Sequence, residues 1–157
     1  MDKIFKPTSG REIHNWLPDA TIIRYLDLKK YNRLPKLPLV ILYEVKPKFG
    51  HWVTLLKTPQ GIEWFDSYGY APDMELNFVP DELKSDNKLL LNMIKHREDV
   101  NYNPYPLQKG LDTATCGRWV ILRNIFNYLT TDEFKNMIDK TSKELNMSPD
   151  EIVTLAI

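Results

Sequence analysis

The chain has 157 residues, 43% of them hydrophobic and 27% charged, the composition of one globular domain that removes roughly 70% of its unfolded-chain surface from water. Its 21 basic residues balance its 21 acidic ones, which excludes a global field for drawing in nucleic acid or an anionic membrane. One cysteine excludes an internal disulfide and a multi-cysteine zinc site, no apolar stretch approaches the ~20 residues of a membrane span, and residues 1–6 lack the apolar core of a signal peptide; an intracellular, soluble monomer is expected.

Residues 8–32 read as one or two helices. Ser9 and Glu12 have capping-box spacing, and Ile13, Trp16 and Leu17 share a face. After Pro18, Asp19 or Thr21 can cap a second helical run carrying Ile22, Ile23, Leu26 and Leu28, which Pro35 and Pro38 close. The neighbouring Lys29, Lys30, Arg33 and Lys36, and later Lys46 and Lys48, read as solvated basic faces. Residues 39–45 are a β-branched apolar run, as in a strand buried on both faces. Residues 51–56 and 62–66 flank the turn Pro59-Gln60-Gly61 and predict a hairpin. A Gly- and Pro-containing loop follows to Asp73, and residues 74–84 carry no clear period. Residues 88–96 predict an amphipathic helix, and 100–102 a short strand before the proline-rich stretch leading to Gln108.

The last third is helical. Residues 117–129 are apolar around most of the circumference, as in a central buried helix. Thr130 with Glu133 caps a further helix, and Ser148 with Pro149 opens a last short one. Blocks of helices, strands and helices predict an α+β fold in one domain, residues 1–157.

The chemistry gathers around Cys116. A lone cysteine in an apolar stretch is usually a small core residue. Cys116-Gly117, however, stands where a polar loop meets a buried helix, and a helix N-terminus beside an imidazole favours a thiolate. Gly117 allows close approach of a substrate carbonyl, and the Cys116 amide can donate to an oxyanion. His51 opens a strand and can exchange the thiol proton, whereas His14 and His96 sit in polar surroundings and read as surface residues. Asp66 ends the strand hairpinned to that of His51, which places it to orient the imidazole; as an alternative it is a turn-initiating residue. Glu63 is the rival carboxylate, mid-strand and further from His51. Gln108 is a candidate second oxyanion donor, otherwise a solvated loop residue.

Together Gly50-His51-Trp52, Trp64-Phe65-Asp66-Ser67-Tyr68-Gly69-Tyr70, Gln108 and Ala114-Thr115-Cys116-Gly117 resemble the adenovirus-proteinase-like (adenain) cysteine peptidases. That group is similar to the SUMO-specific proteases and includes proteins of virophages, large DNA viruses and Polinton-type elements. The resemblance covers roughly residues 39–130. It implies a distant relative of the papain fold, with a central, mostly antiparallel sheet flanked by helices and the catalytic cysteine at a buried helix N-terminus. It maps His51, Asp66 and Cys116 to the triad, Gln108 to the oxyanion hole, and Trp52 to the wall of a narrow, glycine-admitting substrate channel; for Trp52 a core aromatic is the equal alternative.

The resemblance further implies cleavage of viral capsid or core precursors at small-residue sites during virion maturation, in the host cytoplasm, a virus factory or the virion. No metal or cofactor is required. A DNA or peptide activator is compatible with the family, but not one tethered by a disulfide, since no second cysteine exists. Thr115 stands where the SUMO-protease branch has aspartate, and the interval from Gln108 to Cys116 is slightly longer than in that branch, both favouring the viral branch. The alternatives are removal of a ubiquitin-like modifier, acyl transfer to protein side chains, and a non-catalytic binding module on the same fold.

Overall fold

The computed structural model describes residues 2–85, 87–110 and 113–157. Leu111 and Asp112, shortly before Cys116 in the sequence, lie outside the described residues. Five strands form one sheet in sequence order: β1 (Thr21–Arg24), β2 (Leu39–Lys46), β3 (Phe49–Thr58), β4 (Gly61–Phe65) and β5 (Val100–Tyr102). The β2–β3 and β3–β4 pairs are antiparallel hairpins, whereas the edge pairs β1–β2 and β4–β5 are parallel. The sheet is thus mixed, antiparallel along its long central pairs as expected and parallel only at its short edges, because each edge strand is reached by a long connection and not a hairpin turn.

The central strands are covered on both faces. Along β2 all of Leu39 to Tyr43 are at most 3% exposed, each such large side chain contributing ~1.5–3 kcal/mol on burial. Alternation divides them. Leu39, Ile41 and Tyr43, with Val53, Leu55, Ile62 and Trp64, pack under Tyr25, Leu28, Leu76, Val79 and the helix α2 (Leu89–Ile94). Val40, Leu42 and Trp52 face the opposite way, against Ile13 of α1 (Gly10–Trp16) and Cys116, Val120 and Ile121 of α3 (Cys116–Ile125). Leu56 and Phe65 join Trp119 and Leu122 of α3, Phe134 and Ile138 of α4 (Thr131–Leu145), and Val153 of α5 (Pro149–Ala156).

Three helix starts follow their predicted chemistry: Ser9, Thr130 and Ser148 each cap through a complete capping box. The predicted second N-terminal helix is overturned. Residues 21–24 form β1, and 25–30 a 3-10 helix. Thr21, Ile22 and Ile23 are consecutive β-branched residues, stiff in a helix and suited to a pleated edge, and β2 supplies the partner. The stretch without clear period holds two 3-10 turns, Met74–Phe78 and Asp81–Leu83. Helix α3 ends at Ile125, short of the expected Leu129, because Arg123 Nη1 and Nη2 donate to the carbonyls of Phe126 and Leu129 and hold that segment in turns.

Candidate active site

His51 is placed by the β2–β3 hairpin. A bulge between Glu44 and Lys46 offsets the register beside it, and the buried Glu44 side chain accepts the Lys48 amide at 2.7 Å, closing the turn. Gly50 pairs so tightly with β2 that a Cβ there would lie 1.8 Å from the Tyr43 carbonyl oxygen, so no other residue fits. The next residue, His51, emerges at the rim of the sheet with its side chain 11% exposed.

Asp66 follows β4 directly. The register pairs Thr54 with Phe65, which puts Asp66 and His51 on one face as diagonal neighbours. His51 Nε2 lies 2.8 Å from Asp66 Oδ1. The same oxygen accepts the Tyr68 amide at 2.8 Å, so the turn role and the His51 contact coexist. Asn103 Nδ2 and the Gly69 amide donate to the Asp66 carbonyl, and the Tyr68 ring stacks on the imidazole with centroids 4.8 Å apart. With Nε2 engaged, Nδ1 is the nitrogen left for a thiol.

Cys116 is the first residue of α3, 8% exposed. Its Sγ accepts the Trp52 amide at 3.4 Å and lies 4.0 Å from the Gly50 carbonyl oxygen, which brackets His51 in sequence. Burial by itself would lower the His51 pKa; the charges of Asp66 and Cys116, with a hydrogen bond to each, outweigh it and raise the pKa well above the ordinary value. The Cys116 amide occupies the first helical position, where no intrahelical acceptor exists.

Gln108 is not a solvated loop residue. It is 3% exposed, its Oε1 accepts Ser67 Oγ at 2.8 Å, and its backbone amide donates to the Ser67 carbonyl. This leaves Nε2 aimed at the cysteine loop, donating to Thr113 O and Oγ1 at 3.2 and 3.1 Å. His51, Trp52, Gln108 and Cys116 line one cleft of about 420 Å³. Its apolar wall includes the half-exposed Val45, Phe49 and Phe78. A larger depression of about 610 Å³ lies elsewhere, between residues 28–34 and α2.

Trp52 is a core aromatic that also borders the cleft. Only 7% exposed, it packs in the core beside Ile13 and Val120 while lining the cleft, and its Nε1 donates to the Thr8 carbonyl at 2.9 Å. The small size of Gly117 serves a neighbour other than the one expected: a Cβ there would lie 2.7 Å from Thr8 Cβ, so the N-terminal segment needs the glycine. Glu63 is removed from candidacy. It is 1% exposed on the α3 side of the sheet and takes Arg123 Nε and Nη2 at 2.8 and 3.2 Å. His14 and His96 are both exposed.

Three contributors escaped the sequence. Glu75 Oε1 lies 3.5 Å from His51 Nε2; its segment shows no period, so nothing local marked it. Asp150, 4% exposed at the start of α5, accepts Thr115 Oγ1 and Trp119 Nε1 at 2.7 and 3.1 Å and the Lys109 and Gly110 amides at 3.1 and 3.4 Å. It thereby ties the Gln108 segment to the residue before Cys116. Asp73, in the left-handed region at φ 67°, is held by Tyr43 Oη and the Leu91 amide and so anchors the turn that presents Glu75. The ligand-type atoms of His51, Asp66 and Glu75 lie within 4.8 Å of one another, but the 2.8 Å Nε2–Oδ1 contact is a hydrogen bond with no room for an ion between its two atoms.

Over 148 aligned residues the chain is 34% identical to the uncharacterized protein V9 of the Sputnik virophage, spanning 87% of this chain and 85% of that protein. The chain belongs to the V9 family. No family model and no solved structure matches it. The match runs well beyond the 39–130 window of the motifs, so the V9 family comprises nearly the whole domain. Among the described residues no helix is long and apolar enough to cross a membrane.

Proposed function

We propose that this member of the V9 family is a cysteine endopeptidase of the adenain type. The observation that carries the reading is the position of His51, hydrogen-bonded to Asp66 at 2.8 Å through Nε2 and set between the two backbone groups that touch Cys116 Sγ. Asp66 favours the imidazolium, and an imidazolium beside the sulfur favours the thiolate. The thiolate attacks the scissile carbonyl carbon, and the oxyanion is met by the Cys116 amide and by Gln108 Nε2, which exchanges its Thr113 contacts for it. His51 gives its proton to the departing amine as the C–N bond breaks. A water then attacks the thioester, His51 takes the water proton, and collapse of the tetrahedral species expels the Cys116 thiolate with release of the acid product.

The aromatic row His51, Tyr68, Tyr70, Phe78 and the half-exposed Val45 and Phe49 suit a substrate with an apolar side chain near a small residue at the cut. Such sites in viral capsid or core precursors, processed in the virus factory or virion, are the proposed targets. Mass spectrometry of candidate precursors co-expressed with the wild-type chain or with Cys116→Ala tests this. Cleavage confined to wild type supports it; identical peptide patterns in both overturn it. Ubiquitin-like conjugates included in the same experiment report deconjugation as the competing activity.

A further inference from the structure

Glu75 stands outside the Cys116, His51, Asp66 and Gln108 set, yet faces it. It is 5% exposed, and its Oε1 is buried without a hydrogen-bond partner. The second oxygen of Asp66, Oδ2, is likewise buried and unpartnered, while Oδ1 takes both His51 Nε2 and the Tyr68 amide. The His51, Asp66 and Glu75 polar atoms lie within 4.8 Å of one another, and a carboxyl proton held between the two acids gives both buried oxygens a partner. We propose that Glu75 is a positioning residue that carries this proton and shares it with Asp66, so that His51 is backed by two carboxyls bearing one charge. The inference rests on the cysteine-peptidase reading of His51 and Cys116.

Which carboxyl carries the proton follows from the contacts. Asp66 already accepts two hydrogen bonds, which suit an anion. Glu75 has no lysine or arginine nitrogen within ion-pair distance among the described residues, only the imidazole at 3.5 Å. The groups facing it are His51 on β3, Asp66 after β4 and Tyr68 in the following loop, with Cys116 on α3 behind the imidazole. On its own turn Asp73 points to Tyr43 and the Leu91 amide instead. Burial, supplemented by the Asp66 charge and hydrogen bond and opposed by His51, pushes the Glu75 carboxyl up to about 7. Carboxyls that share one buried space do not both ionise.

The consequence is a charge limit on the site. With Glu75 protonated, His51 meets one negative charge and releases its proton to the leaving amine. Once Glu75 ionises, a second negative charge 3.5 Å from Nε2 holds the proton on the imidazole and slows that transfer.

Carbon-13 NMR titration of the glutamate carboxyls in the full chain tests the shared proton directly. One resonance, absent from E75Q, is expected to titrate near 7, above the ordinary ~4.3. The pH profile of Cys116 alkylation by iodoacetamide is expected to show a step at the same pH that E75Q lacks, with E75Q keeping the low-pH rate within about twofold because its amide still donates to Asp66. E75A, which leaves Asp66 Oδ2 without a donor, is expected to lose about tenfold or more, as for a hydrogen bond to a charged group. Glutamates that all titrate in the ordinary range, or profiles of wild type and E75Q that superimpose, overturn the proposal. The titration uses the unmodified chain, so it decides the matter even where E75Q folds poorly. A thiol no more reactive than in the denatured chain overturns the peptidase reading and the positioning role with it, while the titration still reports whether Glu75 holds a proton.

Discussion

Asp66 shows how much one oxygen can be asked to do: Oδ1 accepts from a backbone amide and from the imidazole at the same 2.8 Å. Under the proposed mechanism Asp66→Asn puts an amide where the imidazole needs an acceptor and favours the wrong tautomer. A loss of about 10²- to 10⁴-fold in kcat/KM on a peptide substrate is expected, with circular dichroism unchanged. Retention of full activity would discard Asp66 as the orienting carboxylate. The raised His51 and Glu75 values also predict how stability responds to pH. Both groups hold protons in the folded state over ranges where the unfolded chain has released them, so stability falls as pH rises. The Glu75 contribution is present below about 4.3 and is lost up to about 7. The His51 contribution is present below about 6.5 and is lost as pH passes through its higher folded value. Urea unfolding at a series of pH values checks this; the wild-type slope between pH 4.3 and 7 should flatten in E75Q, and an unchanged slope would contradict the assignment.

At the level of elements, the loop before α3 is held from a distance. Asp150, at the start of α5, gathers donors from residues 109, 110, 115 and 119. Asp150→Ala leaves a buried hydroxyl and an indole N–H without this acceptor. A cost of about 1–3 kcal/mol in stability is expected; under the proposed mechanism it comes with a loss of peptide turnover larger than the loss of folded protein, because Gln108 and Cys116 lose a common reference point. Equal losses in turnover and folded fraction would make Asp150 purely structural. The element starts at Ser9, Thr130 and Ser148 were legible because a cap is chemistry within four residues. Strand β1 was not, because its β-branched run satisfies a helical stripe as well as an edge strand, and only the presence of β2 decides between them.

Across the molecule, His51 and Asp66 come from the sheet and Cys116 and Gln108 from α3 and its approach, so the site measures how α3 docks. The buried pair Arg123–Glu63 pins that docking, with both side chains at most 1% exposed. Thr131 Oγ1 donates to the same carboxylate. Arg123→Ala strands the Glu63 charge and is expected to cost about 3–5 kcal/mol, read as a lowered urea midpoint; a cost under 1 kcal/mol would show that the pair does not hold the layers together. From its sequence alone this chain specifies a mix of helices and strands, its hairpin, its capped helices and a cysteine at the mouth of an apolar helix, since each is set by neighbours along the chain. That Glu63 serves Arg123 and not His51, that Glu75 stands behind the imidazole, and that Asp150 braces the cysteine loop were decided only by the tertiary structure. Those contacts join residues some 24 to 60 positions apart, and no local period or propensity encodes which buried carboxylate meets which donor.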